Sequence, residues 1–428
     1  MRVLMFGWEF PPLLSGGLGT ACKGLSNALV RRGIDLVFML PRLPPGTPGT
    51  EGLHLVAANQ LPHESPSPHT PPPGRMMVHP IPAALSPYAG LNASAPDWRN
   101  PAFAHQTLRT PGPPSVLAQP GPYGVDLNLE IERFADAAES LVRTETFDVI
   151  HAHDWMTFPA ALRARLQSGK PIVVHIHSTE FDRRGPAAQP EIAALERAGC
   201  ETADRVIAVS HQTRNQLIER YGIAPDKIEV VHNAVRRREA LQHRPPSPTF
   251  PGKIVLFLGR VTAQKGPDFF VEAAGRILKT RPDITFVMAG AGDQLPRLIE
   301  RVGQLRIGAH FHFTGFLQGA DVERLYSMAH VYVMPSVAEP FGIAPLEALA
   351  YDVPVIIARQ AGVGEVLHHA LKVDFWDVAD LADKILAILD HPALSRELLR
   401  QGRRELRSLC WDAAAQKVET LYRSLSGG

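Results

Sequence analysis

Cysteine is scarce in this chain. Only Cys22, Cys200 and Cys410 occur in 428 residues, too far apart for paired metal-ligand spacing. That argues against a disulfide scaffold or zinc ribbon and points to reduced thiols in a cytoplasmic protein. Net charge is equally lacking, with 44 Lys+Arg against 43 Asp+Glu, so nothing in the balance suggests nucleic acid or a charged membrane surface as partner. No apolar run reaches the roughly 18–20 residues of a membrane span. Met1-Arg-Val-Leu-Met-Phe6 is too short for a signal-peptide core before Gly7-Trp-Glu-Phe-Pro-Pro12 interrupts it. A soluble protein without a transmembrane segment is expected.

What is present is a two-domain length and a repeating strand–helix rhythm. Arg2–Phe6 and Asp35–Leu40 read as buried strands around a helix at Thr20–Arg32. About half of the 39 prolines then fall between Pro41 and Pro122, marking an irregular insertion with short strand candidates at Leu53–Ala57 and Met76–His79. Order resumes with a helix at about Asn128–Arg143. Strands follow at Phe147–Ala152, Pro171–His177, Arg205–Ser210 and Lys227–Asn233. After a Pro-rich polar stretch, the alternation restarts at Lys253 and runs through strands at Ile284–Ala289, His310–Phe313, His330–Met334 and Val353–Ala358. The expected architecture is α/β, with two facing Rossmann-like domains. The first covers 1–238 with its insertion at about 41–122, 239–252 forms a linker, 253–408 the second domain, and 409–428 a last amphipathic helix.

The chemistry concentrates at the ends of predicted strands, where open α/β sheets bind ligands. Pro335-Ser-Val-Ala-Glu339-Pro-Phe-Gly-Ile-Ala-Pro-Leu-Glu347-Ala-Leu-Ala350 follows a strand and enters a helix. Free amides and the helix dipole meet at Phe341-Gly342-Ile343, a seat for an anion. Glu339 and Glu347 flank it, and carboxylates accept hydrogen bonds from sugar hydroxyls. Gly259-Arg260 and Lys265-Gly266 aim two cations at one crevice mouth, Arg suiting a phosphate bidentately and Lys as a compact charge. Gly16-Gly17 precedes a helix and lets backbone amides approach a diphosphate. About nine residues separate the first strand from these glycines, unlike the G-x-G-x-x-G turn of a dehydrogenase. His153-Asp154-Trp155 and Ser178-Thr-Glu-Phe-Asp-Arg183 follow two further strands and suggest one wall of such a crevice. His151 and His153 alone read as structural histidines.

EPFGIAPLEALA, with its Glu-x7-Glu, resembles the signature of retaining nucleotide-sugar glycosyltransferases of the GT-B fold, especially glycosyltransferase family 4. The resemblance covers nearly the whole chain outside about 41–122 and is strongest from 253 to 375. It implies that Glu339 and the amides of Phe341, Gly342 and Ile343 hold the donor sugar, and that Glu347 holds the nucleotide ribose. Arg260 and Lys265 would clamp the donor diphosphate, with Gly16-Gly17 touching it from the opposite domain. VVHIHST resembles the strand that presents a histidine to the sugar, placing His177 there, or His175 if the register shifts by two. Gly290-Ala-Gly292 matches the family's glycine-rich turn near the donor, Gly362-Val-Gly364-Glu365 resembles its next loop, and the last helix is implied to cross back onto the first domain.

The expected reaction is transfer of a hexose from a nucleotide diphosphate sugar to a hydroxyl acceptor, either a glycan or a small molecule. WEFPPLLSGGLGTA and Tyr123-Gly-Val-Asp-Leu127 are similar to glycogen and starch synthases, but Leu14-Ser-Gly16-Gly17 departs from the Lys-x-Gly-Gly of bacterial synthases. Those synthases also lack the second glutamate. Outside enzymes, a sugar-nucleotide sensor of the same fold is the alternative. No Asp-x-Asp stands at a strand end, and Asp374-Phe-Trp-Asp377 reads as a helix cap, so no metal is expected. Nucleotide base, sugar, acceptor and oligomeric state stay open.

Overall fold

The computed structural model describes residues 1–11, 16–41, 53–55, 76–80, 127–235 and 252–427. Most of the Pro-rich insertion and the predicted linker lie outside these residues. The first sheet contains β1 (Arg2–Phe6), β2 (Asp35–Leu40), β3 (Leu53–Leu55), β4 (Met76–Pro80), β5 (Val149–His153), β6 (Ile172–Ile176), β7 (Arg205–Ala208) and β8 (Ile228–Val230). Its order is β3-β4-β2-β1-β5-β6-β7-β8. The second contains β9 (Lys253–Leu258), β10 (Ile284–Ala289), β11 (Phe311–Gly315), β12 (Val331–Met334), β13 (Val355–Ala358) and β14 (Leu371–Val373), in the order β11-β10-β9-β12-β13-β14.

Every recorded strand pair is parallel. That explains the composition of runs such as Val-Leu-Met-Phe and Val-Ile-Ile-Ala, because helices cover both faces of a parallel sheet and leave no polar side. One apolar cluster backs the first sheet and includes Phe6, Phe134, Phe158 and Val174. Another, around Phe257, Phe270, Phe286 and Ile356, backs the second. A third runs from Leu25 and Phe38 through Trp411 and Tyr422 to Leu349 and Ile357, so the two halves share a core.

The order of strands supplies two switch points. From β1 the chain builds outward through β2 and then returns to the other side as β5; from β9 it builds through β10 and returns as β12. Crevices open at the carboxyl ends of such strand pairs. The segments leaving β1, β5, β9 and β12 are those in which the sequence concentrates its glycines, cations, histidines and carboxylates.

The last helix, Trp411–Leu425, packs on Gly17–Arg31 and ties the end of the chain to the first sheet. Arg31 pairs with Asp412 at 2.8 Å and Arg32 with Glu419 at 2.6 Å. The Tyr422 hydroxyl meets His151 Nδ1 beneath β5, and Lys417 Nζ donates to the Val230 carbonyl at 3.3 Å. A Cβ on Gly24 would lie 2.2 Å from the Trp411 indole, so the helices approach closely only because residue 24 has no side chain. Gly24→Ala is expected to cost about 1–3 kcal/mol through overpacking. It should therefore lower the melting temperature; an unchanged melting curve would show that the indole yields freely.

Candidate active site

A cleft of about 1650 Å³ lies between the two sheets, walled by both. On the second-sheet side, β9 ends in Gly259-Arg260 and the turn to the helix Pro267–Ile277 carries Lys265. Lys265 Nζ contacts Glu339 Oε2 at 2.5 Å, and Arg260 Nη2 donates to Gln264 Oε1 at 3.3 Å. Glu339 is buried and also accepts from Ser336 Oγ at 3.2 Å. Between these groups and the helix Ala344–Ala350, Gly342 adopts φ +98°, a left-handed conformation that favours glycine. Phe341 and Ile343 bury their side chains and so offer the cleft mainly their backbone. Glu347 accepts from the Tyr326 hydroxyl at 3.1 Å, and burial pushes its carboxyl above the ordinary range.

The facing wall comes from the first sheet. The helix expected from Thr20 begins at Gly17 with Gly16 as its N-cap. Glycine's poor helix propensity makes such a start read as loop. The Gly17 amide is thus among the helix's free first-turn donors. A Cβ on Gly16 would sit 2.9 Å from Glu9 Oε2, which places the buried Glu9 carboxylate against this N-terminus. His177 lies just past the end of β6 and lines the cleft, whereas His175 is buried within the strand. His177 and not His175 therefore faces the cleft.

His151, His153, His175 and His177 form a column on one face of β5 and β6, because His153 and His175 are in register and residues two apart share a face. Neighbouring rings lie 4.4 Å (His151–His153) and 4.2 Å (His175–His177) apart, tilted by 18° and 22°. Burial holds them neutral: His151 and His177 fall to about 3, and His153 and His175 well below the ordinary value. Ring nitrogens of His151, His153 and His175 approach within 4.8 Å of one another. The rings stack on one another, and His153 Nδ1 lies 2.9 Å from His177 Nε2.

Two cleft residues go beyond the sites read from sequence. Asp154 follows β5 with φ +58°, an uncommon and costly conformation for a residue with a side chain. Its carboxylate accepts from the His177 amide at 2.7 Å and the Ser178 amide at 3.4 Å, fixing where β6 ends. Burial raises its pKa to about 7 against those two bonds. Arg183 also lines the cleft, held by Glu180 and the buried Glu196. Polar clusters at strand ends are the signal for both, His153-Asp154-Trp155 for the first and Ser178-Thr-Glu-Phe-Asp-Arg183 for the second.

Of the twelve expected site residues, Gly292 is the one that does not line the cleft. A Cβ there would lie 2.0 Å from the Val261 carbonyl oxygen, and one on Gly290 1.8 Å from that of Gly259. Both glycines let the turn after β10 press against the segment carrying Arg260, and Gly290 also reaches the cleft.

Comparison with known proteins fits this arrangement. Residues 94–239 match Glycosyltransferase Family 4, and residues 242–405 match Glycosyl transferases group 1. A glycogen synthase of Mycobacterium tuberculosis is 28% identical over 446 residues, covering 100% of this chain and 96% of the relative. Sucrose-phosphate synthase from Thermosynechococcus elongatus superposes with a TM-score of 0.74 at 21% identity, covering 100% of this chain and 99% of that one. The Anabaena protein HepE, solved in complex with UDP-glucose, does so at 0.66 and 15%, covering 99% and 100%. With two facing parallel sheets, a cleft between their switch points and a glycosyltransferase family match on each half, this chain belongs to the GT-B glycosyltransferases.

Proposed function

We propose that the cleft holds a nucleotide diphosphate sugar against the second sheet and transfers its hexose, with retention, to a hydroxyl acceptor presented from the first. The observation that carries this reading is the meeting of Arg260, Lys265 and the Gly342 helix N-terminus with two carboxylates, Glu339 and Glu347, all on one wall. Cations and amides suit a diphosphate, and carboxylates suit the hydroxyls on either side of it. The volume exceeds the roughly 300–1,000 Å³ of an ordinary small-molecule site, which leaves room for donor and acceptor together. HepE's bound UDP-glucose supports the donor class. The match along nearly the whole length of a glycogen synthase favours, as a second reading, an α-glucan acceptor with ADP- or UDP-glucose as donor.

In this reading the bond between the anomeric carbon and the diphosphate oxygen breaks, and its electron pair leaves with the diphosphate. The acceptor oxygen attacks from the same face while its proton passes to the departing phosphate. Arg260, Lys265 and the amides of Gly17 and Gly342 stabilise the charge that develops there. His177 orients the sugar, since a ring held neutral by burial to about 3 is a weak base. The protein is read as soluble and cytoplasmic, supported by three free cysteines. No helix among the described residues is long and apolar enough to cross a membrane.

The reaction is also read as metal-independent. Asp377 is engaged in capping the helix Val378–Asp390, accepting from the Asp380 amide at 2.9 Å, and the cations and amides supply the neutralisation a divalent ion otherwise gives. Donor turnover is expected to survive excess EDTA. Loss on chelation, restored by Mg²⁺ or Mn²⁺ but not by monovalent salt, would overturn this account of the leaving group. The decisive experiment on function is a panel of nucleotide sugars, with free nucleotide assayed with and without glucan. Donor-dependent release stimulated by glucan supports the α-glucan reading, and binding with no release supports a sensor.

A further inference from the structure

The two halves are joined by a contact at which a carboxylate of one caps a helix of the other. Glu365 ends the turn Gly362–Glu365 after β13, yet its Oε2 accepts from the His211 amide at 2.8 Å and its Oε1 from the Gln212 amide at 2.8 Å. These amides open the helix His211–Tyr221 of the first half, where Ser210 Oγ accepts from Thr213 at 3.0 Å. His232, just beyond β8, adds Nε2 to Glu365 Oε2 at 3.0 Å. An anion on a helix N-terminus is favoured by the dipole and satisfies amides that lack an intrahelical partner. Partial burial raises the Glu365 pKa, but the bonds from His232, His211 and Gln212 outweigh it and hold the carboxyl below its ordinary value.

The same turn is bonded to the loop that carries Glu339. The Gly362 amide donates to the Glu339 carbonyl at 2.9 Å, and the Val363 amide to the Phe341 carbonyl at 2.7 Å. The His232 ring lies 5.8 Å from that of Phe341. A Cβ on Gly362 would fall 2.0 Å from the Pro340 carbonyl oxygen and 3.0 Å from Ser210 Cβ, so this glycine sits in contact with both halves. Glu365 itself does not line the cleft.

We propose that Glu365 is a positioning residue: by clasping the helix His211–Tyr221 it sets the loop Glu339–Gly342 for the donor, so that docking of the halves and assembly of the donor seat are one event. This rests on the donor-binding role given above to that loop. Breaking the clasp releases a carboxylate from one half and two helix amides from the other, and the strain or slack passes through two backbone hydrogen bonds to Glu339 and Phe341.

Amide hydrogen exchange on the full chain tests the clasp without any substrate. Glu365→Ala is expected to speed exchange in the segment 209–214 and, together with it, in 339–344, leaving the helix Pro267–Ile277 unchanged. Glu365→Gln, whose amide oxygen still accepts one bond, should fall between. Gly362→Ala, which wedges the same junction with the carboxylate intact, should disturb the same two segments and supplies the readout if Glu365→Ala does not fold. With UDP-glucose or ADP-glucose as donor, kcat/KM should drop on the order of tenfold in Glu365→Ala. Faster exchange confined to 209–214, with the 339–344 segment and donor turnover as in wild type, would make Glu365 a helix cap only and overturn the proposal. If wild-type protein turns over no donor, the functional reading fails by itself, and the exchange pattern still decides whether the clasp reaches the loop.

Discussion

Lys265→Ala is expected to lower donor turnover by on the order of 10²-fold or more, with Arg260→Ala close behind. Both side chains reach the cleft from the turn after β9, at the switch point of the second sheet. In the proposed reading charge develops on the diphosphate as the sugar leaves, so groups that meet that charge act on kcat and not on donor binding alone. The ion pair with Glu339 sharpens the expectation for Lys265. At 2.5 Å from a buried carboxylate, the ammonium is held in place before the donor arrives. Its removal takes from Glu339 a charge partner as well as removing a cation from the leaving group. Steady-state kinetics on the best donor, with a melting curve to show folding, measures the effect. A folded Lys265→Ala protein with near wild-type kcat would remove the clamp assignment.

Glu339→Gln and Glu347→Gln are expected to separate by the part of the donor each touches. Glu347 stands in the first turn of the helix Ala344–Ala350 and is fixed by Tyr326; its loss should weaken binding of free nucleoside diphosphate and of donor alike. Glu339 precedes the Gly342 turn and sits beside Lys265. Its replacement should leave nucleotide affinity nearly intact and cost transfer on the order of 10²-fold, because in the proposed reading it is the group that meets the sugar. Calorimetry with UDP and ADP, set beside turnover, distinguishes the two. Unchanged nucleotide affinity in Glu347→Gln, with a large loss in Glu339→Gln, would reverse the roles.

Much of this was legible in the chain. Arg2–Phe6, Asp35–Leu40 and Ile284–Ala289 have the predicted bounds, and the last helix, Trp411–Leu425, falls within its expected span, because a parallel strand buried on both faces and an amphipathic helix leave strong local patterns. The spacing from Gly259-Arg260 to Lys265 and from Glu339 to Glu347 was equally readable, since each pair lies within one strand-to-helix segment whose geometry is set locally. The start of the helix at Gly17 was not, because glycine carries no helical signal of its own. Gly292 was assigned to the cleft by its motif, yet it serves backbone packing against Val261, a contact made only by a neighbouring segment.

Sequence by itself determined that the chain is α/β, that it divides into two alternating halves, and that residues suited to anions and hydroxyls stand at the ends of strands. These follow from periodicity and residue chemistry over windows of ten to twenty residues. Tertiary structure alone decided that β1 lies beside β5 and β9 beside β12, which brings those strand ends to two facing switch points. It also decided that His177 and not His175 reaches the cleft, since β6 ends at Ile176 where Asp154 takes the next two amides. Strand order and strand termination depend on partners more than twenty residues away, and a local pattern carries no information about which distant segment will supply them.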